Sequence, residues 1–139
     1  MMSAKVFDLT GKVVVVTGAA GGIGMAVCRQ LGGSGATIVL SDIDASGLEL
    51  SKKELESRGI KCGTFVSNTS IESEVIAFYQ YVSKEFGVPD ILVNNAGVGT
   101  AVPATKETPE QYKAVIDVNL FGAYWMAQAF ARANTNGGA

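Results

Sequence analysis

Apolar positions along the chain switch repeatedly between a strand-like and a helix-like pattern. Val13 to Val16 form an unbroken β-branched run, which suits a strand buried on both faces of a parallel sheet. Ile23, Val27, Cys28 and Leu31 then recur at helical spacing, and that helix is expected to run from about Gly22 to the terminating pair Gly32-Gly33. Thr37 to Leu40 reads as a second strand closing on Ser41-Asp42. Ser46 and Glu49 have the spacing of a capping box for a helix carrying Leu48, Leu50 and Leu55 and stopping at Gly59. Cys62 to Val66 is a third strand, and Ser70 is expected to cap a helix through Val75, Ile76, Phe78, Tyr79 and Val82 to Phe86. Gly87-Val88-Pro89-Asp90 turns the chain into a fourth strand, Ile91 to Asn94. Thr108 and Gln111 form a second capping box with Pro109 at the favoured first helical position. One long helix is expected from there to about Ala131, with the polar and glycine-rich stretch from Asn134 to Ala139 unable to continue it.

Such alternation of strands and helices argues for βαβ units and a parallel sheet. The expected fold is α/β, a doubly wound parallel sheet of the Rossmann type, in which right-handed crossovers give the strand order 3-2-1-4. At 139 residues the chain fits one domain, residues 1–139, with room for a real core.

Composition removes several function classes. A net charge of -2 without any block of like charge gives no field for nucleic acid. No apolar run approaches a membrane span, and Met1 to Leu9 has no signal-peptide core, so a cytoplasmic protein is expected. Cys28 and Cys62 are not in a C-x-x-C pair and there is no histidine, so metal-ligand spacing is absent and both thiols are expected to be buried and reduced. Without histidine, Ser-His-Asp and Cys-His catalysis are excluded as well.

The chemistry centres on Thr17-Gly18-Ala19-Ala20-Gly21-Gly22-Ile23-Gly24, a glycine-rich turn between the first strand and the first helix. A loop in that position offers backbone N–H groups and the positive end of a helix dipole to a pyrophosphate. Gly18, Gly22 and Gly24 let the backbone turn tightly and approach a ligand. Taken alone, the loop fits a simple turn as well as a phosphate cradle. Asp42 ends the second strand, eighteen residues beyond Gly24, where an acid can accept hydrogen bonds from an adenosine ribose. It can equally cap the turn that follows. Its carboxylate would repel a 2′-phosphate, and neither Ile43 nor the glycine loop supplies a cation. The pair therefore favours NAD over NADP.

The loop resembles the T-G-x-x-x-G-I-G motif of the short-chain dehydrogenase/reductase family. Asn94-Asn95-Ala96-Gly97 is similar to the family's N-N-A-G motif, and Asp117-Val118-Asn119 to its helix motif bearing a catalytic asparagine. The resemblance extends from about Leu9 to Ala131 with its motifs in the family's order. It implies that Gly18, Gly22, Ile23 and Gly24 hold the pyrophosphate, Asp42 the ribose, and Asn68 and Thr69 the adenine edge. Asn95, Ala96 and Gly97 would line the cofactor. Asn119 would anchor a water of the proton relay. Asn68 departs from the aspartate usual in the family, so a weaker or altered adenine contact is expected.

The family's serine and its Tyr-x-x-x-Lys pair have no counterpart in this chain. Tyr79 and Tyr81 lie five and three residues before Lys84, so neither spacing fits. Gly137-Gly138-Ala139 looks like the approach to the family's fifth strand, which makes the chain an N-terminal, cofactor-binding half. The resemblance implies hydride transfer between NAD and a small alcohol or carbonyl substrate, needing residues this chain does not contain. The competing reading is a stand-alone dinucleotide-binding or structural domain. An uncovered fourth strand and the apolar residues Phe121, Tyr124, Trp125, Met126 and Phe130 of the last helix lead us to expect a homo-oligomer.

Overall fold

The computed structural model describes residues 7–135. Its elements run β1 (Val13–Thr17), α1 (Gly22–Gly33), β2 (Thr37–Asp42), α2 (Ala45–Ser57), β3 (Cys62–Val66), α3 (Glu72–Glu85) and β4 (Ile91–Val93). They end in α4 (Pro109–Ile116), a π-helical segment (Asp117–Gly122) and α5 (Ala123–Thr135). All strand pairs are parallel and the sheet order is β3-β2-β1-β4, as the alternation predicts.

The uninterrupted valines of β1 are explained by the layers on either side. Val14 and Val16 face Met25 and Cys28 of α1 and Leu48 and Leu55 of α2, together with Ile38 and Leu40 of β2. Val15 and Val39 face the opposite layer, where Val75, Phe78, Tyr79 and Val82 of α3 meet Met126 of α5. Because successive strand residues point to opposite faces, a strand covered on both needs apolar side chains at every position. The start of β1 is fixed to β4 by a reciprocal pair. Asp90 N–H donates to the Val13 carbonyl and Val13 N–H to Asp90 Oδ2, both at 2.8 Å.

Several local expectations need correction. The cap of α2 is Asp44, whose carboxylate accepts from Gly47 N–H at 3.0 Å. Ser46 sits inside the first turn and donates to that carboxylate. An ionised acceptor two residues earlier in the chain displaces the hydroxyl. Leu50 is exposed, since it lies well off the face shared by Leu48 and Leu55. Ser70 does not cap α3 either. Its hydroxyl turns back to Asn68, and the N-cap position is Ile71, which supplies no side-chain acceptor. The predicted capping box of α4 is present, with Thr108 and Gln111 satisfying each other's backbone N–H groups.

The long last helix is interrupted by the π-helical segment and extends past Ala131 through Thr135. Asn134 is accommodated because its Nδ2 donates to the carbonyls of Phe130 and Pro89. The predicted features at Gly137 to Ala139 and at Met1 to Val6 lie outside the described residues.

Cys28 is buried and Cys62 only half-buried; both are free thiols. Burial, with the neighbouring Cys62 as a smaller cause, pushes the Cys28 thiol up to about 12. Among the described residues no helix is long and apolar enough to cross a membrane, and no group of His, Cys, Asp and Glu is arranged to hold a metal ion.

Candidate functional site

The glycine loop leaves β1 at the C-terminal edge of the sheet, between β2 and β4, where the strand order reverses. Gly18 and Gly22 adopt the left-handed region, with φ of 63° and 56°. Gly24 is required by contact instead, because a Cβ there would lie 2.2 Å from the Gly18 carbonyl oxygen. At Gly21 and Gly22 an added Cβ would meet nothing within 4 Å, so the loop is open on its outer side. The N-cap of α1 is Gly21, which has no side chain to cap with, and the first turn carries no acid. The opening N–H groups of α1 are thus left to an external acceptor. Ile23, on the same turn, is 77% exposed.

The floor of the loop is held by Thr17, which is 1% exposed. Its hydroxyl accepts from the N–H groups of Asn95 at 3.1 Å and Ala96 at 2.9 Å. Asn95 returns the contact, since its Nδ2 donates to the carbonyls of Thr17 at 3.0 Å and Gly18 at 3.1 Å. β1 and the chain leaving β4 are therefore cross-tied at the loop. The Asn95 side chain is spent behind the loop, while the two residues after it come forward.

On the other side, Asp42 Oδ2 accepts from Ala20 N–H and Oδ1 from Asp44 N–H, each at 3.0 Å. The end of β2 is thereby tied to the loop, and Ser51 of α2 adds a bond to the Ala19 carbonyl at 3.2 Å. Below Asp42, the buried hydroxyls of Ser41 and Ser67 meet at 2.6 Å. Asn68 is held by its own turn, with Oδ1 accepting from Ser70 N–H at 3.0 Å and Ser70 Oγ at 2.7 Å. Its backbone N–H donates to Glu74.

Asn119 lies in the π-helical segment. Its Oδ1 accepts from Val98 N–H at 2.8 Å and its Nδ2 donates to the Val98 carbonyl at 2.9 Å. Asn94 meanwhile donates through Nδ2 to the Ala123 carbonyl at 3.1 Å.

These ties bound a cleft of about 180 Å³ lined by Gly18, Asp42, Asn68, Thr69, Ala96 and Gly97, among others. Six of the residues singled out from the sequence thus share one wall-to-wall space. Gly22, Ile23, Gly24, Asn95 and Asn119 do not line it, though Asn95 and Asn119 brace the lining residues Gly18 and Val98. Ser41, Ile43, Ser67, Val98 and Val118 complete the lining. Of these five only Val118 falls inside a motif, Asp117-Val118-Asn119, where the residue singled out is Asn119. Thr17 is written in the glycine motif, but its part as the cross-tie is visible only once β1 and β4 are neighbours. Among the described residues that line it, Asp42 is the one charged side chain, and none is Lys or Arg.

A parallel sheet covered on both faces, with an open glycine turn and a cleft at its switch point, defines a doubly wound protein of the nucleotide-binding type. The family is settled by comparison with known proteins. Residues 12–139 match the model of the short chain dehydrogenase family, and the chain belongs to that family. It is 35% identical over 126 residues to 5-keto-D-gluconate 5-reductase of Escherichia coli K12, covering 91% of this chain and 50% of that protein. It is 38% identical over 130 residues to 2,3-dihydroxy-2,3-dihydro-p-cumate dehydrogenase of Pseudomonas putida, covering 93% and 50%. Among solved structures, NAD+-bound xylitol dehydrogenase superposes with a TM-score of 0.90 at 30% identity, over 94% of this chain and 51% of that one. A gluconate 5-dehydrogenase from Burkholderia cenocepacia, in complex with NADP and tartrate, gives 0.83 at 31%, over 90% and 49%. The chain spans about half the length of the relatives it matches.

Proposed function

We propose that this chain is the dinucleotide-binding portion of an oxidoreductase that moves a hydride between NAD and an alcohol or carbonyl substrate. The observation that carries the reading is the pairing of the uncapped, open N-terminus of α1 with Asp42 across a cleft lined, among the described residues, by no cation. Gly18, Gly22, Ile23 and Gly24 would face the pyrophosphate, and Asp42 the ribose. Asn68 and Thr69 would meet the base, and Ala96 and Gly97, supported by Asn95, the remainder of the cofactor. The glycine geometry fits this group, since Gly21 and Gly22 leave room outside the loop that a Cβ would occupy. When bound, the nicotinamide supplies the hydride chemistry. Solved relatives bind NAD or NADP, and Asp42 without a neighbouring cation favours NAD.

Asn119 would position the Gly97-Val98 backbone beside the reacting end, and in a complete proton relay hold a water. No Tyr-x-x-x-Lys occurs in the chain, so we expect no turnover by these 139 residues alone; pure binding is the second reading that this absence favours. The exposed Leu120, Phe121 and Tyr124 support self-association, and we take the protein to act in the cytoplasm.

Titration of NADH fluorescence tests the reading. Saturable binding is expected, weakened about tenfold by Asp42→Ala if one charge-assisted bond is lost, with a smaller loss for NADPH. Absence of saturable NADH binding overturns it. Circular dichroism guards against misfolding of the variant, because Asp42 also holds the backbone of Ala20 and Asp44.

A further inference from the structure

We propose that Gly122 is a positioning residue of the cleft: having no side chain, it lets the π-helical segment close onto Thr69 and so fixes where that side chain stands in the lining. This rests on the reading that the cleft receives a nicotinamide dinucleotide. Gly122 is buried at the end of the segment, and Thr69, on the turn after β3, is 7% exposed and lines the cleft. A Cβ at Gly122 would lie 2.8 Å from Thr69 Oγ1, 3.1 Å from its Cβ and 3.2 Å from its carbonyl carbon. Gly122 does not adopt a positive φ, so its backbone would suit any residue. Glycine is a poor choice inside a helix, and close approach is what calls for it here.

Neither side of this contact is free to retreat. Thr69 stands in a tied stretch, where Ser67 N–H donates to the Asp42 carbonyl and Ile71 N–H to the Asn68 carbonyl, each at 3.0 Å, and Asn68 N–H donates to Glu74. On the facing side Asn119 holds the segment to Val98. The start of α5 is fixed by Asn94 on the Ala123 carbonyl and by the Tyr79 hydroxyl on the Met126 carbonyl. An added methyl group must therefore be absorbed by the Thr69 side chain, which is β-branched and restricted at χ1. That side chain is turned or pushed from the place it holds in the cleft.

The segment meets the cleft at three points. Val118 lines it, Asn119 holds the lining residue Val98, and Gly122 packs against the lining residue Thr69. Val98 follows β4 and Thr69 follows β3, the two outermost strands of the sheet. One short piece of helix thus bridges the loops at both ends of the strand order, and Gly122 sets its distance from the β3 side.

The experiment is a double-mutant cycle read by NADH fluorescence on the full 139-residue chain, Gly122→Ala, Thr69→Ala and the double variant. Gly122→Ala is expected to weaken NADH about tenfold when Thr69 is present, and by less than about threefold when residue 69 is alanine. A purely structural glycine would lower the urea midpoint and leave the NADH losses equal in the two backgrounds, which overturns the inference. A Gly122→Ala chain that binds NADH as the native chain does overturns it too. Should Gly122→Ala fail to fold, the double variant decides: folding with NADH affinity within about threefold of Thr69→Ala upholds the inference, and failure to fold overturns it. Absence of saturable NADH binding to the native chain overturns the cofactor reading, and this inference with it.

Discussion

Asn119 grips Val98 by both ends of its amide, accepting from the Val98 N–H and donating to the Val98 carbonyl. One side chain thereby holds a loop residue that otherwise has no ladder to join, just where the cleft lining passes from Gly97 to Val98. Replacing it by leucine removes both bonds, each worth about 0.5–1.5 kcal/mol net and here exposed. We expect a loss of about 1 kcal/mol in urea unfolding and faster hydrogen exchange at the Val98 amide. Unchanged exchange at Val98 would contradict the role.

Thr17 has a stricter requirement. Thr17→Val keeps the shape but leaves the N–H groups of Asn95 and Ala96 without their acceptor in a buried setting. A destabilisation of about 1–3 kcal/mol is expected, with Thr17→Ser recovering most of it. Chemical denaturation of the three proteins tests this, and a valine variant as stable as the native chain would refute the cross-tie.

Two glycines of α1 respond in opposite directions. Gly24→Ala forces a Cβ onto the Gly18 carbonyl, which is backbone and cannot swing aside, so a cost of about 1–3 kcal/mol is expected. Gly33 has open space around it and does not need a positive φ. Gly33→Ala should raise stability by up to about 1 kcal/mol through the lower entropy of the unfolded chain. Thermal melts of the pair separate contact from chain entropy.

Stability against alkali is set in part by buried acids. The Cys28 thiol, ordinarily near 9, is pushed up to about 12 by burial, and burial raises the Tyr79 hydroxyl too. For groups raised on folding, the unfolded chain gives up its proton first. Their contribution is complete below about pH 9 and is lost as pH rises towards 12. The urea midpoint should therefore fall between about pH 8.5 and about pH 10.5, less steeply in Cys28→Ala relative to its own midpoint at the lower pH. A parallel fall in the variant would remove Cys28 as a contributor.

The sheet and its layers were legible because they depend on periods that survive without knowledge of neighbours. The valines of β1, the glycine turn and the spacing of Val75, Phe78 and Val82 read the same in isolation and in the fold. Caps were less legible, since Asp44 and Ser46, or Asn68 and Ser70, are rival polar groups within two residues, and the winner depends on the turn they build together. The cleft was half legible. Gly18, Asp42 and Gly97 carry motif signals, whereas Ile43 and the Ser41-Ser67 pair enter only because parallel neighbours bring their strand ends and loops together. The π-helical segment had one sign, an asparagine placed mid-helix against its propensity.

That segment makes chain length a structural variable. Within it the helix is joined to the cleft through Asn119 and Val98; downstream, Ala123 accepts from Asn94 and Met126 from the Tyr79 hydroxyl. Deleting a single residue between them would turn one half against the other by about 100°, and the three attachments could not all be kept. Substitution can tune this joint, but an insertion or deletion would miswire it.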